Sequence, residues 1–155
     1  MGPAPAPLPG RLLFRLLLLL AALDHTAFAV GVWLRPGAVF AFLHLPEIAP
    51  GQPQDRLVLL QALGLLALAH ATVLVILGCW PERLGPLALV ALVGRLLGAA
   101  VWLWALAADR FDVPDKAYPL TVLALHEAVW VAALAGFLFA WYRWQRHTVV
   151  TPSPS

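Results

Sequence analysis

The amino-acid sequence predicts an all-α integral membrane protein built as a four-helix bundle, and three observations carry that reading. Four stretches, 12–34, 57–79, 87–108 and 120–142, are each long enough to cross a hydrocarbon core of about 30 Å, which takes about 20 apolar residues. None of them alternates apolar and polar residues as a barrel strand does. Of the 155 residues, 62% are apolar and 12% charged, whereas a soluble domain has about 45–50% and about 25%.

Taken in order, residues 1–10 alternate Pro with Ala and Leu and read as a disordered tail. The first span begins after Arg11 and contains Ala27-Phe28-Ala29, a combination that also suits a cleavable signal. Apolar character continues beyond that site through Val30, Val32, Trp33 and Leu34, which favours a retained helix. In the 35–56 connection, Pro36 suits the first turn of a short interfacial helix over about 37–45 that presents Val39, Phe40, Phe42 and Leu43. Such a helix lies on the outer leaflet, or the segment folds over the bundle mouth.

Small residues spaced by four mark close helix approach in lipid. The second span has Gly64, Ala67 and Ala71, the third Gly94 and Gly98, and the fourth Ala124, Ala128, Ala132, Gly136 and Ala140. The chain therefore reads as one transmembrane domain over 11–146, followed by a flexible tail over 147–155. Arg11, Arg15, Arg83, Arg143 and Arg146 fall on the side of the termini and Arg35, Arg56, Arg110 and Lys116 on the other. That excess points to a cell-membrane protein with both termini cytoplasmic.

Several functions are excluded or disfavoured. Ten Lys and Arg against eight Asp and Glu give no clustered cations for nucleic acid. A single cysteine, Cys79, rules out an intrachain disulfide, a CxxC pair and a thiolate zinc cage. No nucleophile elbow, P-loop, HExxH helix or paired ExxH motif is present, which argues against an enzyme.

Six polar residues fall inside the spans: Asp24 and His25, then His70, Arg95, and finally His126 with Glu127. A charge at that depth costs at least about 2.5–3.5 kcal/mol, so each needs a partner or a task. Counting residues from the termini side places Arg95 at about 12 Å, His70 at about 14 Å, Asp24 at about 18 Å, His25 at about 20 Å, Glu127 at about 22 Å and His126 at about 24 Å. On these depths Asp24 is the nearer partner for Arg95, and Glu127 needs His70 or a water between. Two carboxylates facing one guanidinium make a cluster that can take up a proton.

From the first helix onward the arrangement resembles the small four-helix bacterial membrane proteins of the DoxX-like type, over roughly Arg11 to Arg143. The resembling residues are Trp33-Leu34-Arg35-Pro36, the segment 40–46, Leu63-Gly64-Leu65, Pro81-Glu82-Arg83, Gly94-Arg95-Leu96 and a polar residue before Ala128-Val129-Trp130. The resemblance implies the fold, a basic residue at Arg95 and an acidic one near His126-Glu127.

Three functional expectations follow. Absence of catalytic motifs beside abundant packing signals favours a non-catalytic subunit that binds other membrane proteins or itself within the lipid bilayer. A second reading is a small proton-coupled transporter or ligand-binding protein working through the six polar residues. The third is a tetrapyrrole carrier, haem or chlorophyll, ligated by His25, His70 or His126; no other cofactor or metal is expected.

Overall fold

The computed structural model describes residues 7–46, 54–111 and 113–149. It contains α1 (Arg11–Leu34), α2 (Pro36–Phe42), α3 (Asp55–Cys79), α4 (Leu87–Ala107) and α5 (Ala117–Val149). All but α2 are long and apolar enough to span a membrane. Leucines such as Leu12, Leu16, Leu20 and Leu23 of α1 point outward, as expected where the surrounding solvent is as apolar as the core.

Each boundary has a local cause. Gly10 takes a left-handed φ of 71° ahead of α1, a conformation that costs glycine little. Arg35 leaves the helical region and Pro36 restarts it as α2, filling the first turn where its missing N–H matters least. Both α2 and α4 end in Schellman motifs. Leu45 N–H donates to Phe40 O (2.8 Å) with His44 left-handed, and Arg110 N–H donates to Ala105 O (2.8 Å) with Asp109 left-handed.

The expected boundaries are corrected at the ends. Leu8 is buried against the bundle, so the N-terminal segment is anchored before residue 10. At the other end α5 runs to Val149, beyond the span expected to close at 142 and into the tail expected from 147. The remainder of both tails, 1–6 and 150–155, lies outside the described residues.

Helices α1 and α3 form the tightest seam, and glycines make it possible. A methyl at Gly64 would lie 3.3 Å from Val32 Cγ1, and one at Gly78 would lie 3.3 Å from Leu19 Cδ2. Neither leaves ordinary clearance, so the absent side chains are what bring the backbones together. The Ala124, Ala128, Ala132 and Gly136 ridge of α5 behaves differently. These residues are exposed, and the bundle is met instead by Leu134 and Phe137. The expectation that this ridge packs inside the bundle is therefore corrected.

Two cores divide the molecule along its length. Toward the termini, Leu18, Ala22, Leu74, Leu77, Ala88, Ala91, Leu134 and Phe137 draw on all four spans. This end is fastened by Arg11 to Glu82 (3.0 Å), Arg15 Nε to Gly78 O (3.0 Å) and Trp141 Nε1 to Glu82 O (3.1 Å). Toward α2, the second core combines Val32, Phe40, Leu45, Leu60, Leu63, Ala105 and Phe111, with no contribution from α5 among the described residues. Phe40 and Leu45 thus fold the connection over the bundle mouth rather than leaving it flat on a leaflet. On that side α5 stands away from the packed core.

Candidate functional site

In the gap beside α5 lies a cavity of about 530 Å³. Phe28, Leu66, Trp102, Val122 and Leu123 form much of its wall; Arg35, Val39, Phe42 and Pro119 surround the end near α2. The space exists because Ala27, Gly31, Ala67, Gly94, Gly98 and Ala99 present almost no side chain to it. A methyl at Gly98 would meet nothing nearer than Leu66 Cδ2 at 3.9 Å. Of the two glycines expected to mark a helix contact, Gly94 lies against His70 of α3, where a methyl would be 3.5 Å from Nδ1, and both line the void.

All six polar residues expected from the sequence line this cavity: Asp24, His25, His70, Arg95, His126 and Glu127. Arg95, only 5% exposed, is the centre of the network. Its Nε donates to Glu127 Oε2 (2.6 Å), its Nη2 to His126 Nδ1 (2.7 Å) and its Nη1 to His25 Nε2. From the far edge of its ring, His126 Nε2 donates to Asp24 Oδ2 (2.7 Å).

For neutral imidazoles these bonds assign both tautomers. A guanidinium has donors only, so each ring nitrogen facing it must be an acceptor. His25 consequently carries its proton on Nδ1, which donates to Ala21 O (2.7 Å). His126 carries its proton on Nε2, aimed at Asp24. In this arrangement the fixed charges of the network are two negatives against one positive, and His126, 2.7 Å from Asp24 Oδ2 and 3.7 Å from Glu127 Oε1, is placed to carry a balancing proton.

The expected pairing is reversed: Glu127 binds Arg95 directly, and Asp24 reaches it through His126. The depth count fails because it treats all helices as starting level. The Trp141 to Glu82 bond sets residue 141 of α5 beside the α3–α4 turn, below the start of α4. Glu127 stands about 21 Å above that contact and Arg95 about 12 Å above the start of α4, so the displaced start of α5 and the long arginine stem close the remainder.

His70 is the member that the network does not satisfy. Its ring lies 4.7 Å from that of His25, and its Nε2 is buried without a hydrogen-bond partner. A buried polar atom in that state calls for a cause. Below the two histidines the structure closes to a void of about 10 Å³ walled by Phe14, Leu17, Leu74 and Phe137, at the lower limit for one water. The polar network is thus the floor of a cup whose mouth lies near α2.

The histidines are poorly placed to hold a tetrapyrrole between them. His25 and His70 lie 4.7 Å apart and His25 and His126 6.1 Å apart, each pair tilted, leaving no room for a macrocycle between them. Both His25 nitrogens and both His126 nitrogens are also engaged. Among the described residues no group of three His, Cys, Asp or Glu side chains converges as a metal site.

Outside the cup, His44 stacks on Tyr118 at 3.8 Å, and Cys79 is a half-buried free thiol at the end of α3. The cavity walls are what sequence reasoning missed. Their signal is the concentration of Gly and Ala at one level of α1, α3 and α4 beside the polar residues. Comparison with family models, with curated proteins and with solved structures finds no match to this chain.

Proposed function

We propose that this four-span membrane protein binds a small amphipathic ligand in the cup, with the Arg95 network as its polar floor. One observation supports this reading above the others: a cavity of about 530 Å³, apolar along its walls, ends on six converging polar side chains. Binding sites take this form, mostly apolar with a few placed polar groups, and commonly measure about 300–1,000 Å³. A network serving only as glue between helices needs no cavity above it.

With both termini cytoplasmic, the mouth faces the outer aqueous phase or the outer leaflet. Proton coupling is consistent with the network, because a proton on His126 or a carboxylate would balance its charge. No catalytic step is assigned to these residues.

The test is extraction and mass analysis of small molecules from the full chain purified in lipid nanodiscs. Wild type is expected to carry a compound that Gly98→Trp, which fills the cavity, lacks and that Glu127→Gln holds in lower amount. Identical contents in wild type and Gly98→Trp, bilayer lipid included, would overturn the reading.

A second reading, association with a membrane partner or a second copy, is favoured by the outward Ala124, Ala128, Ala132 and Gly136 ridge on α5. A methyl at Gly136 would touch nothing within 4 Å, and only 11% of this span is buried. Oxidative cross-linking through Ala132→Cys, in a Cys79→Ala background, is expected to give a discrete adduct. Its absence in native membranes would remove this reading.

A further inference from the structure

Resting on the ligand-binding reading, we infer that the cup selects amphipathic organic monocations, with the Asp24 carboxylate as their counter-ion. Asp24 and Glu127 bring two negative charges, and Arg95 brings one positive charge. Of the two imidazoles nearest Arg95, His126 lies between the carboxylates, 2.7 Å from Asp24 Oδ2 and 3.7 Å from Glu127 Oε1, and is the group placed to carry a balancing proton. Without that proton the floor is one cation short in a low-dielectric setting, where an unbalanced charge is costly.

The two carboxylates differ in which one the ligand can reach. Both line the cavity, but Glu127 is taken by Arg95 at 2.6 Å and its side chain is 19% exposed, whereas the Asp24 side chain, bonded to His126, is 38% exposed. An ammonium brings donors and no acceptor. It therefore matches a floor that offers the Asp24 carboxylate. Above Asp24 the wall includes Phe28 and Trp102, in edge-to-face contact at 6.4 Å. Aromatic faces tolerate a cation and also bury an apolar body. Arg35 stands about 16 Å farther along α1, at the mouth, too distant to balance Asp24.

The same balance makes a proton the competitor. When the cup is empty, a proton supplies the missing charge; an organic cation displaces it. The groups that face this exchange are Asp24 and His25 on α1, His70 on α3, Arg95 on α4, and His126 and Glu127 on α5, with Arg35 at the mouth. Cation affinity is expected to weaken as pH falls, by up to about tenfold per pH unit for exchange of one proton.

Three probes sharing one fluorophore test the inference on the full chain in nanodiscs. They are dansylcadaverine, which is cationic, its neutral N-acetyl derivative, and anionic dansyl-aminohexanoate. Dansylcadaverine is expected to bind saturably, at least tenfold more tightly than the other two, and Asp24→Asn is expected to remove that advantage. The amide oxygen introduced by that substitution still accepts from His126, so the fold is kept, and Asp24→Glu is expected to restore preference for the cation. Equal or tighter binding of the neutral or anionic probe would overturn charge selection while leaving the cup as a binding site. Failure of all three to bind above empty nanodiscs would overturn both.

Discussion

Arg95 is bonded to Glu127, His25 and His126 at once, so its removal strands a buried carboxylate and unpairs two imidazoles. Arg95→Met is expected to destabilise the protein by about 3–5 kcal/mol, the usual cost of breaking a buried ion pair from one side. Arg95→Met combined with Glu127→Met is expected to recover much of that loss, because the stranded charge has gone. Thermal unfolding in detergent measures both, and additive losses would contradict the pairing. Every member of this network was legible in the sequence, since six polar residues inside apolar spans declare themselves by their cost. Their pairing was not, because depth along a helix depends on where neighbouring helices start.

Small residues have two opposite uses among the helices. Gly64 and Gly78 admit α1 to α3, whereas Gly94 and Gly98 hold open the cavity, and sequence spacing alone does not distinguish a seam from a void. Gly64→Leu is expected to lower the unfolding temperature markedly through collision with Val32 and Trp33. Gly136→Leu, on the outward face, is expected to leave it nearly unchanged. A methyl at Gly85 would overlap the Trp141 indole, so Gly85→Ala is expected to loosen the closed end by disturbing the bond from Trp141 to Glu82. Denaturation midpoints of the three variants give the comparison, and equal effects of Gly64→Leu and Gly136→Leu would contradict the assigned seams. The four spans themselves were plain from apolar length. The extension of α5 to Val149 was not, because beyond residue 142 the helix runs through Arg143, Gln145, Arg146 and His147, polar residues that a hydropathy reading assigns to a tail.

At the scale of the whole molecule, the protein is a bundle sealed at the end bearing the termini and open beside α5 toward α2. The sealed half explains why the polar network is not part of a continuous pore. The open half explains why charged groups can be held at this depth, since they face a cavity rather than lipid. Cysteine reactivity distinguishes this arrangement most directly, using Cys79→Ala protein with Gly98→Cys on the cavity wall, Leu97→Cys on the lipid face or Leu74→Cys in the dry core. Treated with a membrane-impermeant thiosulfonate in sealed proteoliposomes, Gly98→Cys is expected to react, and only from the α2 side, while Leu97→Cys and Leu74→Cys remain inert. Reaction of Gly98→Cys from the termini side, or no reaction faster than that of Leu97→Cys, would contradict the cup on which the functional account rests.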